Sequence, residues 1–66
     1  MEEDRMLKWF AFAHLPPHLQ EISAGFYRHA ASLCESIEPG HERTVALRKL
    51  LEAKDAAVRA VVHPAG

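Results

Sequence analysis

Two proline-containing breaks, Leu15-Pro16-Pro17 and Glu38-Pro39-Gly40-His41, decide what this chain can fold into. A residue before proline is pushed out of the helical region, and the proline itself can then open a new helix at its first position. At the second break a proline and a glycine stop one helix and turn the chain. The stretches around these breaks carry helical apolar spacing and no strand-like alternation. The expected fold is a single all-α domain over residues 1–66, a short N-terminal helix followed by a long antiparallel helical hairpin.

The first stretch, roughly Glu2 to Ala13, opens on Glu2, Glu3 and Asp4, acids that suit the positive end of a helix dipole. Met6, Leu7, Trp9, Phe10 and Phe12 then crowd into seven positions, more than one stripe can hold, so this helix reads as apolar on most sides. The second stretch, roughly Pro17 to Ile37, spaces Leu19, Ile22, Phe26, Leu33 and Ile37 by three- and four-residue steps with Ala30 filling the gap. That length makes a helix of roughly 30 Å.

The third stretch, roughly Glu42 to Val62, has one apolar stripe of Thr44, Leu47, Leu51, Val58 and Val61, interrupted by Lys54. A second stripe is small: Ala46, Leu50, Ala53, Ala57 and Ala60. A hairpin offers each helix one partner, so two apolar faces point to a neighbour from another chain. Alanine is also simply a good helix former on an exposed face. The aromatic crowding of the first stretch tips the expectation toward a homo-oligomer.

Size argues the same way. With 66 residues, the chain buries little apolar surface for each residue it orders, so something must staple it. The single cysteine, Cys34, closes no internal disulfide. His14, His18, His29, His41 and His63 show no zinc-finger spacing, and Pro16 and Pro17 spoil the turn that would align His14 with His18. No metal and no cofactor are expected. Self-association is the staple left.

Eight Lys plus Arg against nine Asp plus Glu give a formal charge of −1, too balanced a field to hold DNA. An acidic start and no apolar run of about 18 residues argue against a secretory or membrane segment, so a cytoplasmic protein is expected. Catalysis has little support. There is no Ser, His and Asp constellation and no glycine-rich phosphate loop, and the scaffold is too small to enclose a reaction. Cys34 and His29 point apart on a helix, and Cys34 reads as a small core residue.

Candidate binding residues gather at the breaks. Trp9, Phe10, Phe12 and His14 precede the first, where a chain turning a corner can leave an aromatic face open to a flat ligand. They can equally cap the hairpin core, the reading favoured for Trp9 and Phe10. At the second break, Arg43 and Thr44 sit in the first turn of the third stretch. Arg43 is poorly placed for the helix dipole unless it meets an anion or pairs with Glu35 or Glu38. Thr44 and the free amides beside it could receive a phosphate. Arg28, within Phe26-Tyr27-Arg28-His29, is a further exposed cation.

Two longer stretches carry a resemblance. Trp9-Phe-Ala-Phe-Ala-His-Leu-Pro-Pro-His-Leu-Gln20 and Glu42-Arg-Thr-Val-Ala-Leu-Arg-Lys-Leu-Leu-Glu-Ala-Lys-Asp-Ala-Ala-Val-Arg59 resemble the helical-hairpin domain of phage anti-defence sponges, the anti-CBASS proteins and the related Thoeris inhibitors. The resemblance implies a phage protein acting in the cytoplasm of an infected bacterial host. It implies a homohexamer that sequesters cyclic di- or trinucleotides, such as cGAMP, without cleaving them. It also implies that Phe12, where many relatives have Tyr, stacks on a base, and that Arg28 on a neighbouring chain contacts phosphate. Arg43 and Thr44 match the Glu-Arg-Thr start of the family's third helix. An expectation of a different class stands beside it, a small helical adaptor that binds another protein through the alanine stripe or exposed aromatics.

Overall fold

The computed structural model describes residues 5–63 as three elements. A 3-10 helix, η1, spans Arg5–Phe10, and two α-helices follow, α1 over Pro17–Ser36 and α2 over His41–Val62. The two long helices pack on each other as a hairpin, and η1 packs against both. The described residues form no strand.

Prolines set the boundaries. Pro16 is extended at φ −56° and ψ 149°, the conformation forced on a residue before proline, and Pro17 then opens α1. The Pro16 carbonyl accepts from the Leu19 and Gln20 amides and so closes the first turn. At the other end Ile37 leaves the helix at φ −123° and ψ 131°, its N–H still donating to the Leu33 carbonyl. Gly40 is extended, and its carbonyl accepts from the Thr44 amide in the first turn of α2.

The N-terminal helix ends earlier and is wound tighter than the sequence suggests. A helix to Ala13 was expected; among the described residues, Arg5–Phe10 form 3-10 turns that end at Phe10, and Ala11 N–H donates back to the Lys8 carbonyl at 3.3 Å. Glu2, Glu3 and Asp4 lie outside the described residues. The tighter helix has a physical reason. Three residues per turn put Leu7 and Phe10 on one edge, so both enter the hairpin groove together. Trp9 is thereby turned outward and stays 56% exposed. The expectation that Trp9 caps the core is corrected, while Phe10, fully buried, bears it out.

Phe10, Ala30 and Leu47, all fully buried, form the core with Leu7. Phe26, Tyr27, Leu33, Leu50 and Leu51 close around it, as does half-buried Cys34. One buried group is out of place in this apolar setting. Ser23 is fully buried on α1, and its hydroxyl finds no hydrogen-bond partner among the described residues. A hydroxyl left dry costs about 1–3 kcal/mol, so Ser23→Ala is expected to leave stability unchanged or raise it by up to about 1 kcal/mol. Urea denaturation of the two proteins checks this, and a clear loss would mean that the hydroxyl makes a hydrogen bond on which the fold relies.

Lys54, which interrupts the first stripe of α2, is explained by its contact. Its ammonium donates to the Trp9 carbonyl at 2.9 Å and so holds the end of η1 against α2. Among the described residues no helix is long and apolar enough to cross a membrane.

Candidate binding corner

Residues 11–16 leave η1, turn, and enter α1. Leu15 N–H donates to the Phe12 carbonyl at 3.0 Å, which closes the turn around Ala13 and His14. From the first turn of α1, Gln20 reaches back, its Nε2 donating to the Leu15 carbonyl at 2.7 Å and to the Ala13 carbonyl at 3.3 Å. Phe12 is half-buried. Its ring meets that of Tyr27 edge to face, with centroids 5.9 Å apart and planes at 66°. Such a contact steadies one flank of the ring, an arrangement aromatic pairs favour. His14 is exposed at the tip of the turn.

Arg28 follows Tyr27 on α1 and is exposed, its guanidinium lying back over Gly25 one turn earlier. Successive helical residues diverge by about 100°, so Arg28 leaves α1 in a different direction from the Tyr27 ring that Phe12 meets.

Arg43 and Thr44 lie at the hairpin turn, and backbone carbonyls engage both. Arg43 is only 9% exposed, and its Nη1 donates to the carbonyls of Ile37 at 2.8 Å and Cys34 at 3.2 Å. A cation in the first turn of α2 is thus explained by the last turn of α1, whose free carbonyls carry the negative end of that helix's dipole. The expected acidic partners of Arg43, Glu35 and Glu38, are exposed. Thr44 donates its hydroxyl to the Gly40 carbonyl at 3.2 Å, so its proton is directed into the turn. The Arg43 contacts lie seven and ten residues beyond Tyr27 on α1, roughly 10–15 Å along the helix at about 1.5 Å per residue. The structure therefore brings Phe12 and His14 to one corner and leaves Arg43 and Thr44 at another place on the chain.

A groove of about 280 Å³ adjoins the corner, lined by Leu15, Lys54, Asp55, Val58 and Arg59. It is small against the roughly 300–1,000 Å³ typical of pockets that enclose a ligand. Sequence reading did not single out Lys54 or Arg59 for this corner. The break that Lys54 makes in an apolar stripe was the signal available for the first, and nothing in the spacing marks the second. No group of three or more His, Cys, Asp or Glu residues stands ready to hold a metal among the described residues.

Comparison with family models, curated proteins and solved structures finds no match to this chain.

Proposed function

We propose that this protein is a phage anti-defence sponge that sequesters cyclic oligonucleotide immune signals, cyclic dinucleotides such as cGAMP and also cyclic trinucleotides, without cleaving them. The observation that carries the reading is the Phe12 ring, half-open at a corner, steadied edge-on by Tyr27 and followed at the turn tip by exposed His14. A half-buried aromatic ring held by a second ring at a turn suits a nucleobase. It supplies no charge, and the phosphates then fall to a neighbouring protomer. Arg28 fits that part because it leaves its own protomer's aromatic pair and stands exposed.

Self-association, to the hexamer that the resemblance implies, is part of the same reading. Trp9, Ile37, Val61 and Val62 leave large apolar surface exposed, at 56%, 42%, 39% and 49%, in a chain that has little core to spare. The protein would act in the cytoplasm of the infected bacterial cell. The adaptor reading also has an observation behind it, the exposed Trp9 indole with the Lys8 ammonium 5.1 Å from its ring centroid.

Titration calorimetry with cGAMP tests the assignment. Phe12→Ala is expected to weaken binding by about 1–3 kcal/mol, the usual worth of one base stacked on an aromatic ring. Arg28→Ala is expected to cost roughly tenfold to a hundredfold in affinity, the loss of a charged hydrogen bond to phosphate. If Phe12→Ala instead lowers stability while affinity per folded molecule is unchanged, Phe12 belongs to the core and the stacking role is wrong.

A further inference from the structure

We propose that Gln20 and Lys54 are positioning residues that clamp the segment carrying Phe12 and so set its affinity for a cyclic nucleotide; this rests on the reading of Phe12 as the stacking platform. Phe12 lies in a segment with no helix of its own, and a hairpin side chain grips the backbone on either side of it. Lys54 of α2 holds the Trp9 carbonyl at 2.9 Å, three residues before Phe12. Gln20 of α1 holds the Ala13 and Leu15 carbonyls at 3.3 and 2.7 Å, one and three residues after it.

Neither clamp is what packing alone would select. Lys54 stands where the apolar stripe of α2 calls for a hydrophobic residue, and Gln20 follows buried Leu19 at the entry to α1. Both donate to carbonyls at helix-end or turn positions, where such groups lack a helical partner and otherwise turn to water in no fixed geometry. Tyr27 meets the ring of Phe12. Fixing the backbone on both sides leaves the ring little to order when a base arrives, and ordering that is complete beforehand is not charged against binding.

The test uses the full chain and four proteins. Gln20→Glu keeps the side-chain length but removes the donor, and Lys54→Met keeps the stem but removes the ammonium. Lys54→Arg restores donors and serves as the rescue. For each, affinity for cGAMP is measured by calorimetry, amide hydrogen exchange is followed at Ala11 and Leu15 without ligand, and a thermal melt gives the folded fraction. Gln20→Glu and Lys54→Met are each expected to speed exchange at these amides and to lose roughly fivefold to tenfold in affinity per folded molecule. Lys54→Arg is expected to bind within about twofold of the parent, a difference too small to count as a lost bond.

Parent-like affinity in Gln20→Glu and Lys54→Met overturns the proposal. So does a loss that merely follows the folded fraction, or a Lys54→Arg protein as weak as Lys54→Met. A parent that binds no cyclic nucleotide overturns the sponge reading and this role with it, an outcome told apart from a failed clamp, in which parent and variants bind alike.

Discussion

Phe10→Ala is expected to remove about 3–5 kcal/mol of stability, the usual cost of truncating a fully buried aromatic side chain. Phe10 and Leu47 have the largest fully buried apolar side chains described, and Phe10 is the one by which η1 enters the hairpin core. A core in a chain this short rarely supplies more than about 3–5 kcal/mol, so the variant should sit close to its unfolding midpoint at 25 °C. Trp9→Ala, one residue away, should cost under about 1 kcal/mol in the single chain, because exposed positions carry little and a cation over an exposed ring adds only tenths. Urea denaturation followed by circular dichroism separates the two. Repeating it over a range of protein concentrations asks a second question. If Trp9 is covered in the assembly, the Trp9→Ala deficit grows as the parent associates. A Phe10→Ala protein that melts with its parent would mean that η1 is not seated in the groove.

Arg43→Ala carries the second large effect, a loss of about 3 kcal/mol in folding stability. The guanidinium is nearly buried, and it ties the Cys34 and Ile37 carbonyls at the end of α1 to the start of α2. Truncation leaves those carbonyls short of a donor, and charged hydrogen bonds contribute about 1.5–3 kcal/mol each. Arg43→Lys should recover only part of the loss, because an ammonium lacks the planar fork that reaches two carbonyls from one helix position. The expected signature is a lower midpoint in denaturant at parent-like affinity per folded molecule. Parent-like stability with a large loss of cGAMP affinity would return Arg43 to the role of a phosphate contact.

These two residues also mark how far the sequence could be read. The ends of the long helices were legible to within a residue: Pro17 to Ile37 was expected and Pro17–Ser36 forms, Glu42 to Val62 was expected and His41–Val62 forms. Proline and glycine act locally, so their effect on a boundary needs no knowledge of the rest of the chain. The N-terminal helix was not legible in the same way. Five large apolar residues in seven positions leave open which of them face inward, and only the groove between α1 and α2 selects Leu7 with Phe10 over Trp9.

The candidate site divides along the same line. Phe12 and His14 were legible as a corner because the two prolines that follow force one. Arg43 was legible as misplaced, since a cation at a helix start needs a reason. That reason, the carbonyls of another helix, depends on how the hairpin turn closes, and no residue type in the sequence announces a backbone acceptor. Gln20 and Lys54 escaped for the same cause, since both donate to main-chain oxygens.

The central claim is that this chain holds a cyclic oligonucleotide and leaves it whole. The direct measurement is to incubate the purified protein with cGAMP, remove free nucleotide by desalting, denature the protein by heat, and identify what is released by chromatography. Intact cGAMP is expected in an amount comparable to the protein loaded, with far less recovered from Phe12→Ala. Release of a linear product would show an enzyme, and an empty eluate from folded protein would leave the helical hairpin as an adaptor and contradict the account.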